Sequence, residues 1–213
     1  MEMPFFHDRA RILFQGDSIT DGNWGRYFDP NHILGHGYVF IIAAKHGALW
    51  PERQLEFMNR GVSGNCVREL QARWQADVID LKPDLLSVLT GINDSGKGVP
   101  LDEYERAYDQ LLSDARAANP KLNLVLGEPF WVPPERGPDD LKAKDVAARG
   151  EIVAKLAERH RAVLVKYQRA FDAACGRAPA RHWSWDSVHP TYSGHQIMAD
   201  EWVKAVAEFH GAA

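Results

Sequence analysis

The sequence predicts an α/β fold, a three-layer α/β/α sandwich around a five-stranded parallel sheet. Three observations predict it. Short apolar runs alternate with longer amphipathic stretches from end to end, the pattern of repeated βα units. Asn119-Pro120 and Lys82-Pro83 stand where helices should give way to strands, because the residue before a proline is pushed out of the helical region. The segments that follow the apolar runs are rich in glycine, asparagine, serine and proline, as the loops of such a fold should be. Neither a repeat, a low-complexity tract nor a linker interrupts the 213 residues, so residues 1–213 read as one domain.

The expected strands are Arg11–Gln15, Gln54–Met58, Asp84–Thr90, Leu122–Leu126 and Ala162–Lys166. Between and after them the pattern predicts helices near Tyr38–His46, Val67–Leu81, Leu101–Ala118, Asp140–His160 and Tyr192–Phe209. In the last of these, Met198, Trp202, Ala205 and Phe209 recur at three- and four-residue steps, which marks one buried helical face. Ligands of open parallel sheets bind beyond the carboxyl ends of the strands. In this chain those ends lead into Gly16–Asp21, Asn59–Asn65, Gly91–Ser95 and Gly127–Pro134. Asp186–His189, just ahead of the last helix, is placed to reach the same rim.

Composition narrows the function. At 45% hydrophobic and 25% charged residues, with a net charge of −4, the chain has the make-up of an ordinary soluble domain. It has no basic stripe for nucleic acid, and no apolar stretch near the ~20 residues of a membrane span. Cys66 and Cys175 lack metal-like spacing, and the first eight residues lack the basic and apolar regions of a signal peptide. A cytoplasmic location is therefore expected. His32 and His36 gather no further ligands and no His-Glu-x-x-His pattern exists, so neither a metal nor another cofactor is expected.

The candidate chemistry lies in two strings, Gly16-Asp17-Ser18-Ile19-Thr20 and Asp186-Ser187-Val188-His189. A serine hydroxyl is a weak nucleophile until a base takes its proton, and the base works best when a carboxylate fixes its tautomer. Ser18, His189 and Asp186 supply those three parts, although a serine at this position equally suits a helix N-cap. Pro190 stiffens the histidine loop; His195 is expected inside the last helix in a structural role, and His182 lacks an acidic residue three or four places upstream. Asn93 and Asp94 follow Gly91 after the third strand; the pair is good turn chemistry, and an asparagine amide is also one of the few neutral groups able to donate to an oxyanion. Gly61, in Asn59-Arg60-Gly61-Val62-Ser63-Gly64-Asn65, either permits a tight turn or brings its N–H close to a ligand. The chain has no Gly-x-Ser-x-Gly elbow, so an activated serine here belongs to another architecture than the α/β-hydrolases.

Taken in order, Gly-Asp-Ser, the Asn-Arg-Gly turn, Gly-x-Asn-Asp and Asp-x-x-His resemble the four motif blocks of the SGNH (GDSL-type) hydrolases, and the likeness runs from about Arg11 to Val206. The resemblance implies a flavodoxin-like strand order 2-1-3-4-5, Ser18 as nucleophile, His189 as base and Asp186 as its orienting carboxylate. It also implies an oxyanion hole from the backbone N–H groups of Ser18 and Gly61 with the Asn93 amide. Thr20 stands where many members carry serine, a change outside the chemistry. Asn-Arg-Gly-Val-Ser-Gly-Asn, Gly127-Glu128-Pro129-Phe130 and Asp186-Ser187-Val188-His189-Pro190 look most like bacterial acetylxylan esterases, including leaderless intracellular ones. A serine esterase that removes acetyl, or other short acyl, groups from carbohydrate such as acetylated xylan or xylo-oligosaccharides is then the expected function.

Trp24, Trp131, Trp183 and Trp185 fall in or beside the rim loops, where aromatic faces would stack on sugars; Asp17 and Asp94 join them as candidate substrate contacts. Ordinary packing accounts for any one of these tryptophans equally well, and exposed ones would also suit a homo-oligomer interface. A thioesterase, a lysophospholipase or another acetylesterase of the same fold, or a carbohydrate-binding protein that has lost catalysis, are the rival readings. The intact serine, histidine and aspartate speak against the last.

Overall fold

Five short apolar segments form one all-parallel sheet in the order 2-1-3-4-5 in the computed structural model, which describes residues 3–135, 137 and 140–209. The strands are β1 (Arg11–Gly16), β2 (Glu56–Asn59), β3 (Leu85–Leu89), β4 (Asn123–Gly127) and β5 (Val163–Val165). Their register aligns Gly16, Leu89, Gly127 and Val165 across neighbouring strands and sets Phe14 beside Asn59. The loops leaving these residues therefore open on one edge of the sheet.

The helices in chain order are α1 (Ser18–Asp21), α2 (Tyr38–Leu49), α3 (Val67–Trp74), α4 (Ile92–Gly96), α5 (Leu101–Ala118), α6 (Leu141–Arg159), α7 (Tyr167–Cys175), α8 (Ala180–Trp183) and α9 (Tyr192–Ala207). Strand alternation divides the core into two layers. Ile12 and Phe14 point to one face, where Tyr38 and Ile42 of α2, Phe171 of α7 and Met198 and Trp202 of α9 close over them. Leu13, Leu86 and Leu124 point to the other, packed by Leu70 of α3, Leu111 of α5 and Val153 of α6. Trp202 is fully buried and its Nε1–H donates to Ser87 Oγ at 3.0 Å, so the one polar atom of the largest core ring is satisfied. Of the residues expected on the inner face of the last helix, Met198 and Trp202 are buried; Ala205 and Phe209 pack at its margin, and the helix stops at Ala207.

Among the expected helices, one departs in form. The stretch Val67–Leu81 reads as one helix, but the regular α-helix ends at Trp74 and a wider π-turn follows over Gln75–Ile79. Such insertions re-aim side chains, and here the turn carries Asp77, a buried carboxylate that accepts two hydrogen bonds from Arg26 at 2.8 Å each and one from Arg73 at 3.0 Å. Among the described residues no helix is long and apolar enough to cross a membrane.

Candidate active site

Ser18 stands one residue beyond the end of β1 and is the first residue of α1, not its cap. The cap is Asp17, whose Oδ1 accepts the Ile19 N–H at 3.0 Å. That leaves the Ser18 hydroxyl free to turn outward, where Oγ lies 2.8 Å from His189 Nε2. On the far side of the ring, His189 Nδ1 is 2.7 Å from Asp186 Oδ2, while Asp186 Oδ1 accepts the backbone N–H groups of His189 at 2.7 Å and Val188 at 3.1 Å. With Nδ1–H donated to the carboxylate, Nε2 presents its lone pair to the serine. Burial alone would raise the Asp186 carboxyl, but the His189 backbone and ring donors, with the Val188 N–H, hold it below the ordinary carboxylate range. The tight loop puts Ser187 in the left-handed region at φ +76°, and Val132 N–H donates to Ser187 O at 2.9 Å to fasten the loop to the β4 side.

The loops after β2 and β3 meet beside this relay. Asn93 donates one amide N–H to Asn65 O at 3.0 Å, and its second N–H has no partner among the described residues. Gly91, at φ +128°, lets the chain turn there, since a Cβ would press on the Tyr104 hydroxyl and the Pro129 ring. Gly61 is not placed to donate to a ligand: it is buried, and its N–H is held by Asn59 Oδ1 at 2.9 Å. A Cβ on Gly61 would collide with the Asp21 backbone, so this glycine serves close packing. Gly64, three residues on, is exposed at φ +79°, and its N–H makes no hydrogen bond among the described residues. Its loop is the one that Asn93 grips at Asn65.

Three positioning residues escaped the sequence reading. Buried Asn59 donates to Thr20 O at 2.7 Å, Leu34 O at 3.0 Å and Asp21 O at 3.3 Å, so it pins the serine turn to the second loop. Asp21 accepts from the Ser63 hydroxyl at 2.8 Å and the Ser63 N–H at 3.2 Å, fixing the residue before Gly64. Arg73 spans three segments: Nη2 donates to Gly16 O at 3.1 Å, Nη1 to Arg60 O at 2.7 Å, and Nε to Asn65 Oδ1 at 2.8 Å. Asp77 beneath it is buried, which would raise its carboxyl, but the Arg26 and Arg73 guanidiniums hold it below its ordinary range. A lone Arg or Asn carries no sequence signal for such bracing. Arg73→Met should therefore lower stability by about 2 kcal/mol, the scale of a lost charge-assisted hydrogen bond, and reduce kcat more than it raises KM. Urea unfolding and steady-state kinetics on the same preparation would check both.

Four expected substrate contacts are corrected by burial. Asp17 and Asp94 are fully enclosed, and Asp94 instead accepts from Val67 N–H at 3.0 Å and Thr90 Oγ1–H at 3.3 Å, tying the second and third loops together. Trp24 is buried between the guanidiniums of Arg26 and Arg60, 5.3 and 5.1 Å from its ring centre, and its Nε1–H donates to Tyr27 O. Trp183 is buried in the α9 layer with its Nε1–H on Ala178 O at 3.1 Å. The other two reach the surface. Trp131 is half-buried, with its Nε1–H on Asp140 Oδ2 at 3.0 Å. Trp185 is 66% exposed, donates its backbone N–H to His189 O at 2.8 Å and stands edge-to-face with Tyr192, an exposed ring unnoticed in the sequence. His195 lies in α9 as expected, accepts the Tyr38 N–H at 3.2 Å, and burial drives its ring down to about 4, so it stays neutral.

An apolar hollow of about 350 Å³ between Val78, Pro83, Ala115 and Leu122 lies toward the amino ends of β3 and β4, away from Ser18. Ser18 itself is part-buried, beyond the carboxyl end of β1. No group of three or more His, Cys, Asp or Glu side chains suited to a metal ion occurs among the described residues.

Comparison with known proteins agrees with this geometry. Residues 14–197 match the model of the GDSL-like lipase/acylhydrolase family. The chain is 33% identical over 208 residues to an acetylxylan esterase of Geobacillus stearothermophilus, covering 92% of this chain and 93% of that one. The solved structure of Axe2, an acetylxylan esterase from the same organism, superposes with a TM-score of 0.87 at 32% identity over 98% of both chains. LAE5, a hydrolase from the metagenome of Lake Arreo, gives 0.85 at 34% identity over 95% of this chain and 97% of its own. With the sheet order, the block sequence and these relatives in agreement, the chain belongs to the GDSL-like lipase/acylhydrolase family, the SGNH hydrolases, and is a carboxylic ester hydrolase.

Proposed function

We propose that this protein is a serine esterase that removes acetyl groups from xylo-oligosaccharides through an acyl-enzyme intermediate. The observation that carries the chemistry is the continuous relay from Ser18 Oγ through His189 to Asp186, with contacts of 2.8 and 2.7 Å. Ser18 Oγ attacks the acetyl carbonyl as His189 Nε2 takes its proton, and Asp186 stabilises the imidazolium. The developing oxyanion is met by the Ser18 N–H, the free N–H of Asn93 and the Gly64 N–H, which takes the place first given to Gly61. His189 then protonates the departing sugar hydroxyl. Water, activated by the same imidazole, releases acetate and restores Ser18.

The relatives support the substrate. One Geobacillus structure is described as an acetyl-xylooligosaccharide esterase, and serine-to-alanine and aspartate-to-alanine variants of that enzyme are described as catalytic mutants. Exposed Trp185 and Tyr192, beside His189, offer an aromatic face for a pyranose ring. The test is acetate release from acetylated xylo-oligosaccharides, beside rates on acetyl, butyryl and octanoyl esters. Acetyl should exceed octanoyl in kcat/KM by at least tenfold on the usual scale of pocket discrimination. An octanoyl preference would point to a lipase or thioesterase, and a protein that neither hydrolyses any ester nor is labelled at Ser18 by a fluorophosphonate would be a binder.

A further inference from the structure

Asp77 is met by more cations than its two oxygens can hold alike. Arg26 takes both of them, Nη1 on Oδ2 and Nη2 on Oδ1, each at 2.8 Å. Arg73 Nη1 reaches Oδ2 at 3.0 Å, and Arg60 Nε stands 3.9 Å from Oδ1. The two nearer arginines belong to different parts of the molecule. Arg26 comes from the loop between α1 and α2 with its side chain 49% exposed, whereas Arg73 lies on α3, four residues before Asp77. Guanidinium and carboxylate favour a two-bond fork, and two arginines beside one carboxylate compete for it. Arg73 meets Asp77 through one nitrogen and directs Nη2 to Gly16 O and Nε to Asn65 Oδ1. Gly16 leads into the serine turn, and Asn65 follows Gly64 and carries the carbonyl that Asn93 grips. Arg73 can serve both because Arg26 already fills the fork of Asp77. Two backbone departures accompany that contact: Arg26 sits at φ +59°, in the left-handed region that favours glycine, and Asp77 sits in the π-turn after Trp74. Without Arg26 the carboxylate is open to a fork from Arg73, whose second N–H must then leave Gly16 O or Asn65 Oδ1.

We propose that Arg26 is a positioning residue of the acyl-transfer site: by clamping both oxygens of Asp77 it keeps Arg73 on Gly16 and Asn65, and so holds the nucleophile turn and the Gly64 loop in register for the oxyanion. Arg26 acts through Asp77 and Arg73 and takes no part in making or breaking bonds. The role rests on the serine-esterase reading and on the Gly64 and Asn93 donors assigned with it.

Arg26→Met should lower kcat on 4-nitrophenyl acetate on the order of tenfold, the cost of donors displaced rather than deleted, with KM held within roughly threefold. Arg26→Lys keeps the charge but lacks the fork, and should lose kcat likewise. The deciding arm is a suppressor. Asp77→Asn removes the charge that would draw Arg73 away, so it should be milder than Arg26→Met. Adding Asp77→Asn to Arg26→Met should then raise kcat again, to within about twofold of Asp77→Asn alone. A loop held merely by the strength of its contacts behaves in the opposite way, with the double variant as slow as Arg26→Met or slower. That result, or an unchanged kcat in a folded Arg26→Met, would overturn the proposal. Should Arg26→Met fail to fold, Arg26→Lys with and without Asp77→Asn carries the same comparison. A parent whose activity survives Ser18→Ala would remove the esterase reading itself, whereas one silenced by Ser18→Ala but showing no rescue would remove only the role of Arg26.

Discussion

Ser18→Ala is expected to lower ester hydrolysis by at least about 10⁴-fold, since removal of a nucleophile that acts as a unit with its base leaves only what binding and the oxyanion donors supply. The fold should survive the change. Ser18 is the first helical residue and Asp17 caps the turn, so the hydroxyl has no part in holding α1 together. Its one side-chain hydrogen bond among the described residues is to His189, which keeps its anchor on Asp186 when the serine is gone. Alanine is also the best helix former, so the melting temperature should stay within a few degrees. Initial rates with 4-nitrophenyl acetate and a thermal melt on one sample separate lost chemistry from lost structure. Activity within tenfold of the parent in a folded variant would refute Ser18 as nucleophile.

The same contrast explains what was legible in the sequence. Leu101–Ala118 is α5 to the residue, because a long helix with one apolar face carries its own period, and the strand positions hold within two residues for a related reason. The helix expected over Val67–Leu81 fails where a tertiary demand overrides local pattern: Asp77 must reach Arg26 and Arg73, and the backbone widens into a π-turn to take it there. α7, at Tyr167–Cys175, passed unnoticed; it is short, and its buried Tyr167 and Phe171 signal a helix face only once the sheet beneath them is known.

The site divides in the same way. Ser18, His189 and Asp186 could be proposed from the sequence because serine-based acyl transfer dictates residue type, and the structure brings the three within hydrogen-bond reach of one another. Trp24 and Trp183 were misread as rim residues because loop composition says nothing of which side of a loop meets the core. Gly61 and Gly64 stand in one seven-residue string and are equivalent by composition; the Asn59 side chain that claims the Gly61 N–H is what distinguishes them. Brace residues such as Asn59 and Arg73 act on backbone carbonyls, and carbonyl positions leave no trace in residue identity.

Asn93→Ala is expected to lower kcat by about 10²–10³ with little change in KM, the cost of one oxyanion donor. The split follows from when the hydrogen bond forms. The ground-state carbonyl is neutral and weakly bound, while the tetrahedral intermediate carries a full charge in reach of the amide, so the loss falls on the transition state. Asn93→Asp makes a sharper version of the test, because it keeps size and shape but sets a carboxylate against the oxyanion; it should be at least as damaging as alanine. The two glycines supply the control. Gly64→Ala keeps its N–H and meets open space, so its cost is the strain of φ +79°, roughly 1–2 kcal/mol, with a modest effect on kcat. Gly61→Ala drives a methyl into the Asp21 backbone and should be lost to misfolding before kinetics can be measured. If Asn93→Ala instead raised KM with kcat unchanged, the amide would belong to substrate binding, and the charge of the intermediate would rest on the Ser18 and Gly64 N–H groups alone.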